Sequence, residues 1–222
     1  MITVHHLNNS RSQRVLWLLE ELQVPYQIEF YQRDSKTMLA PPSLKKVHPL
    51  GKSPVITDGD ATVAESAAII EYLVDKYGAG RLVPPAGTPD YLRYRYFMHY
   101  AEGSAMPPLV MKLIFSRLAK PAPWFIRPIA AKISQTVQDR YIDPQLASHA
   151  AFLEEQLTQR EWFAGDQFSA ADVQMSFPLE ALAVRAPRSV ATPHLKGFLD
   201  RIHARPAYQA ALEKGGPLKI LG

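Results

Sequence analysis

Gly51-Lys52-Ser53-Pro54-Val55-Ile56-Thr57-Asp58-Gly59-Asp60, followed by Ala64-Glu65-Ser66, is the stretch on which the reading of the whole chain turns. Its first half reads as a buried strand entered through a proline, which has no N–H to give to a ladder and so suits a strand's first position or an edge. Asp58-Gly59 is a hairpin signal leading into Ala61-Thr62-Val63-Ala64. Glu65-Ser66 closes that second strand and opens a helix in which Ile69, Ile70, Leu73 and Tyr77 keep helical spacing. A helix N-terminus bearing a hydroxyl is thereby set beside a proline-initiated strand.

Toward the N-terminus, Ile2 to Leu7 reads as a short strand with Val4 and His6 on one face and Thr3 and His5 on the other. The adjacent histidines point apart, and no helical histidine pair or carboxylate cluster accompanies them, so no metal is expected. Asn8-Asn9-Ser10-Arg11 is a polar loop, and Ser12 to Gln23 is predicted to be a helix with Val15, Leu18, Leu19 and Leu22 on one face. Ser10 and Gln13 fit the S-x-x-Q capping box. Pro25 closes the helix, and Tyr26 to Tyr31 alternates as a second strand, giving a right-handed strand-helix-strand unit with parallel strands. The polar stretch from Gln32 carries a short helix around Ser43 to Val47. The order β-α-β-α-β-β-α is an α/β thioredoxin-like arrangement, with helices on both faces of a four-stranded sheet.

Tyr77-Gly78-Ala79-Gly80 and Pro84-Pro85-Ala86-Gly87-Thr88-Pro89 read as an interdomain linker. The expected division is a first domain over residues 1–79, a linker over 80–89 and a second domain over 90–222. No strand is expected after Pro89. Helical stretches run from Asp90 toward Leu118, interrupted at Pro107-Pro108, and from Arg127 to Arg160, with a break at Pro144, so the second domain is predicted to be all-helical. Ser169 and Asp172 form an S-x-x-[DE] cap, and Phe168 and Val173 are placed for a hydrophobic staple. This motif serves folding, not catalysis.

The chain has 222 residues, 47% of them hydrophobic, enough for a sizeable core in one or two domains. No apolar run approaches the roughly 20 residues that cross a bilayer and no leader pattern opens the chain, so integral membrane association is not expected and a cytoplasmic location is the default. Zero cysteines exclude disulfides, thiolate metal sites and a thiol nucleophile of the protein's own. The formal net charge is +4, but most of the 25 basic residues are interspersed with the 21 acidic ones, so nucleic-acid binding is not expected. One window differs. Between Glu102 and Asp139, Lys112, Arg117, Lys120, Arg127 and Lys132 occur without an acid and alongside Trp124 and Phe125, which reads as a helical hairpin with snorkelling basic side chains or as a membrane-facing or anion-attracting surface.

The strand, turn, strand and Glu-Ser pair resemble the glutathione-binding half of the cytosolic glutathione transferases, in a bacterial-type form with a serine-class-like active-site loop. The Ser169 cap and the late segment Arg201 to Tyr208 resemble that family's helical domain, so the likeness spans nearly the whole chain. It implies activation of the glutathione thiol for attack on an electrophilic, apolar substrate or on a peroxide, a detoxification role and a homodimer. The same architecture also serves as a non-catalytic interaction module, which is the alternative reading. A thiol of pKa about 8.5 is mostly protonated at neutral pH, and lowering it by about two units takes about 2.7 kcal/mol of thiolate stabilisation.

By resemblance, the bond before Pro54 is cis and the Ser53 main chain pairs with the cysteinyl residue of glutathione. Glu65 and Ser66 receive the γ-glutamyl end, and Lys52 contacts the ligand backbone. Ser10 is the leading candidate for the thiolate's hydrogen-bond donor, with Asn9 and Arg11 as the other candidates and a plain helix cap as the competing role of Ser10. The glycine carboxylate calls for a cation, with Arg33, Lys36 and Lys45 as candidates. The electrophile pocket is expected between the domains, at Asn8, Tyr100, Met106, Leu109 and Lys112, and simple core packing would explain its methionines equally well.

Overall fold

The computed structural model describes residues 1–220. Four strands, β1 (Ile2–Leu7), β2 (Tyr26–Tyr31), β3 (Val55–Asp58) and β4 (Ala61–Ala64), form one sheet in the order β2-β1-β3-β4. β1 is parallel to β2, pairing Ile2 with Tyr26 and Leu7 with Tyr31, and antiparallel to β3, pairing Val4 with Ile56. The two-residue period of a strand puts Ile2, Val4, His6 and Ile56 on one face. Helices α1 (Ser12–Leu22) and α2 (Ser66–Tyr77) pack there. Asp58 ends β3 on the same face and accepts from Lys76 Nζ at 2.6 Å, Tyr77 OH and Tyr72 OH, bonds that hold its carboxyl down to about 2.

The thioredoxin-like order is present with one element reduced. The helix expected around Ser43 to Val47 is a single 3-10 turn, Pro42–Lys46, whose only buried residue is Leu44. Pro41, Pro42 and Pro49 bracket this segment, and the residue before a proline is pushed out of the α region, so little more than one turn fits. Helix α1 is buried on more sides than its spacing suggests: Val15 to Leu19 are each at most 1% exposed. The sheet and α2 cover one flank, and the helical half of the chain covers the rest.

That half contains α3 (Pro89–Tyr100), α4 (Met106–Arg117), α5 (Arg127–Val137), α6 (Asp143–Thr158), α7 (Ala170–Arg185), α8 (Pro193–His203) and α9 (Pro206–Gly215). The two breaks expected at prolines take an unexpected form. α3 runs into α4 through a π-helical turn, Ala101–Ala105, and α5 into α6 through another, Gln138–Ile142. A proline removes an N–H and crowds the carbonyl four residues back, and widening the preceding turn accommodates Pro107-Pro108 and Pro144 without ending the rod. α7 is the central helix, with residues Ala170 to Leu182 buried. Its capping box is formed as expected: Asp172 accepts from Ser169 N at 2.8 Å, and it also accepts from Phe163 N at 2.9 Å. Complete burial pushes the Asp172 carboxyl up to about 6, against the pull of these donors.

Candidate functional site

A cleft of about 230 Å³ opens where the entry to β3, the N-terminus of α2 and the π turn after α3 converge. Lys52, Ser53, Pro54, Glu65 and Ser66 line it together. The Ser53–Pro54 bond is cis. Glu65 is the N-cap of α2 and sits at φ 73°, ψ 128°, outside the regions that L-residues ordinarily occupy. Such strain persists where the surroundings impose it, and it is concentrated at ligand sites. Ser66 follows at 4% exposure, at the end of α2 where unpaired N–H groups and the helix dipole favour an anion.

Ser10 lies just behind this wall, in a chain of hydroxyls. Its Oγ is 2.7 Å from Ser12 Oγ, 3.3 Å from Ser53 Oγ and accepts from Ser12 N at 3.2 Å. Ser53 Oγ in turn donates to His5 O, and Ser12 Oγ is 2.9 Å from His6 Nδ1. Burial keeps His6 below its usual pKa, against the pull of a hydrogen bond to the Gly215 backbone. Neutral His6 that donates to Gly215 presents Nδ1 as an acceptor, so Ser12 gives its proton to His6. With the Ser12 and Ser53 protons spent on His6 and His5 O, the Ser10 hydroxyl is the donor in its contacts with Ser12 Oγ and Ser53 Oγ, and its proton is the one that can turn toward a ligand in the cleft. The expected S-x-x-Q capping box does not form: α1 has Arg11 as its N-cap and no side-chain cap, because the Ser10 hydroxyl turns to Ser12 and Ser53. Gln13 is buried with its Nε2 unpartnered.

Arg11 lines the cleft directly, together with Glu102 from the π turn. Glu102 Oε1 accepts from Arg11 Nε at 3.0 Å and from Arg14 Nη2 at 2.6 Å. Burial opposes the Glu102 charge, but Arg14 and Arg11 outweigh it and hold the carboxyl below its usual range. Two cations share one carboxylate, so the cluster carries a surplus positive charge at the cleft. The Nη atoms of Arg11 hold no hydrogen bond to any described residue.

The remaining expected residues lie elsewhere. Asn9 stands at φ 53° with Oδ1 accepting from Lys219 N, and Asn8 Oδ1 accepts from Arg33 N. Tyr100, Met106 and Leu109 are at most 7% exposed and belong to the main core, so their helical spacing records packing and none lines the cleft. Lys112 pairs with Asp143 at 2.6 Å and borders a separate cavity against α7. Of the carboxylate candidates, Arg33 gives its guanidinium to Asn8 O and Met38 O, and neither Lys36 nor Lys45 reaches the cleft lining. The cleft's own bases beyond Arg11 are Lys52 and His48. His48 and Glu102 escaped the sequence reading. The only trace of Glu102 is that it is the last acid before the acid-free window.

The family profile described as "Glutathione S-transferase, N-terminal domain" matches residues 10–76, and "Glutathione S-transferase, C-terminal domain" matches residues 108–206. Over 96% of its length the chain is 37% identical to "Glutathione S-transferase 3" of Schizosaccharomyces pombe, 88% of which is covered. The chain belongs to the glutathione S-transferase family. Its activity is accordingly glutathione transfer, with glutathione as co-substrate. A second relative, "Glutathione S-transferase 1" of Saccharomyces cerevisiae, is 31% identical over 98% of this chain and 97% of its own. The crystal structure of a glutathione S-transferase from Actinobacillus pleuropneumoniae superposes with a TM-score of 0.84 at 32% identity, covering 99% of this chain and 95% of that one. A sphingomonad glutathione S-transferase solved with glutathione shares the fold, with a TM-score of 0.74 at 22% identity over 96% of this chain and 98% of that one.

Proposed function

We propose that this glutathione transferase binds glutathione in the cleft between Ser53-Pro54, Glu65-Ser66 and Arg11, and generates the thiolate there with the positive charge of Arg11 and the proton of Ser10. The observation that carries this reading is the pair of shared bonds at Glu102, which aim the guanidinium of Arg11 at the cleft and leave its Nη donors unspent. In this reading Glu65 takes the γ-glutamyl ammonium, and Ser66 with the α2 N-terminus takes the neighbouring carboxylate. Lys52 and His48 face the glycine carboxylate, and the Ser53 main chain holds the cysteinyl residue. A thiolate at the seam between the halves attacks an electrophilic carbon and displaces its leaving group as an anion, or attacks a peroxide oxygen and breaks the O–O bond, releasing an alcohol and leaving a glutathione sulfenic acid that a second glutathione converts to the disulfide and water.

The proposed organisation is a glutathione-binding domain over residues 1–79, a linker over 80–89 and a helical domain over 90–222 that supplies the electrophile's side of the cleft. We further propose a twofold homodimer, supported by the apolar residues that the α3–α4 rod exposes, Leu92, Tyr96, Val110 and Ile114, and by the prevalence of twofold closure among oligomers. A cytoplasmic setting, where glutathione is kept reduced, suits the reaction. Conjugation of glutathione to an aryl halide, measured with glutathione affinity by calorimetry, tests the function. Tight binding without turnover would point instead to an interaction module.

A further inference from the structure

α5 is an amphipathic helix that leaves an apolar stripe exposed. Ile126, Ile129 and Ile133 recur at i, i+3 and i+7, one stripe on a 3.6-residue helix, and all three are exposed, Ile129 at 62%. Immediately before it, at the outer end of the hairpin that joins α4 to α5, Trp124 is 80% exposed and Phe125 61%. Their rings meet each other edge to face, directly before the isoleucine stripe in the chain.

The charges around the tip have one sign. No Asp or Glu occurs from Gly103 to Gln138. At 100° per residue, Arg127 and Lys132 fall on the two sides of the isoleucine stripe, and Lys120 precedes the tip. Lys120, Arg127 and Lys132 form no ion pair among the described residues. An apolar stripe with an exposed tryptophan and phenylalanine, flanked by unpaired cations, is the chemistry of a helix that lies in a lipid headgroup layer.

We propose that the tip formed by Trp124, Phe125 and α5 is a peripheral docking surface for an anionic lipid bilayer. Charge complementarity selects this occupant. A second copy docking through the same patch would set cations against cations. Docking is shallow and reversible: no described helix is long and apolar enough to cross a membrane. The rings and the Ile126 and Ile129 side chains enter the headgroup region, while Lys120, Arg127 and Lys132 contact anionic headgroups.

Of the three tryptophans, Trp17 and Trp162 are buried, so a change in emission on adding vesicles reports on Trp124. The full-length protein is titrated with phosphatidylcholine vesicles with and without phosphatidylserine, at low and high salt, and sedimentation of the vesicles measures the bound fraction. The expected result is a blue shift and co-sedimentation with phosphatidylserine vesicles, weakened by salt. Lys120→Glu or Lys132→Glu should reduce partitioning about fivefold each. The double change Trp124→Ser with Phe125→Ser should reduce it about tenfold or more, with glutathione transfer and melting temperature unchanged. Failure to bind phosphatidylserine vesicles, or binding that survives both the charge reversals and the double serine change, overturns the proposal. Conversion of a dimer to a monomer by the serine pair, with vesicle binding intact, would make the tip a subunit contact and overturn it too.

Discussion

Arg14, fully buried in α1, places its Nη2 2.6 Å from Oε1 of Glu102 in the π turn of the helical half. Its Nη1 donates to Gln174 O in α7, and its Nε has no partner. A buried cation whose one carboxylate is removed is left uncompensated in a medium that solvates it poorly. Glu102→Gln is therefore expected to cost about 3–5 kcal/mol of stability, read as a fall in melting temperature. Arg14→Met combined with Glu102→Gln should recover part of the loss, because no unpaired charge then remains in the interior. A double variant that melts below the single one would show that the pair, not the stranded cation, accounts for the stability.

Thiol activation is assigned to two groups that separate by titration. Thiolate absorbance of the glutathione complex followed against pH gives the bound thiol's pKa. Arg11→Ala removes the charge that faces the cleft and should raise that pKa by about one unit, equivalent to about 1.4 kcal/mol, with about a tenfold fall in kcat/KM near neutral pH. Ser10→Ala should raise it less. Ser10→Asp sets a negative charge against the sulfur and should raise it more than Ser10→Ala does while the protein stays folded. If the pKa stays put in Arg11→Ala and moves in Ser10→Ala, the hydroxyl and not the guanidinium is the principal group.

What the sequence disclosed and what it concealed divide by range of contact. The hairpin after Pro54, the helix opening at Ser66 and the Ser169–Asp172 cap rest on neighbours within a few residues, and each is in place. Ser10 and Gln13 had the spacing of a capping box too, but Ser53, 43 residues away, helps draw the hydroxyl elsewhere. Glu102 reaches Arg11 across 91 residues and from a π turn, a geometry that α-helical periodicity does not describe. Tyr100, Met106 and Leu109 had the pattern of a lined pocket because a pocket wall and a core share the same apolar periodicity.

Asp58 makes stability depend on pH in an identifiable window. Its folded pKa, about 2, lies below its ordinary value of 3.8, chiefly through Lys76, Tyr77 and Tyr72. The sign follows: the stabilisation is fully present above the unfolded pKa and is lost as pH falls from about 4 toward 2, where the unfolded chain takes up the proton first. Melting temperature measured across that range should fall less steeply in Asp58→Asn than in the parent. Asp172 acts in the opposite sense, since its folded pKa of about 6 lies above the ordinary 3.8 and its contribution declines as pH rises through that interval. A parent protein whose acid limb is matched by Asp58→Asn would remove Asp58 from this account.

Glu65 allows strain and binding to be measured against each other in one substitution. At φ 73° its backbone costs about 1–3 kcal/mol, and glycine, without a Cβ, occupies positive φ freely. Glu65→Gly thus relieves the strain but also gives the unfolded chain more freedom, which returns about 1 kcal/mol of the gain. The net expectation is a melting temperature equal to or above the parent's. Binding should move the other way, because the variant lacks the carboxylate proposed to meet the γ-glutamyl ammonium: the KM for glutathione should rise about tenfold or more, with kcat changed much less. Glu65→Gln keeps the strained backbone while removing the charge, so it should share the KM defect and lack the thermal gain. A Glu65→Gly protein that melts well below the parent would show that the Glu65 side chain holds the turn, and a KM unchanged in both variants would place the γ-glutamyl end of glutathione elsewhere in the cleft.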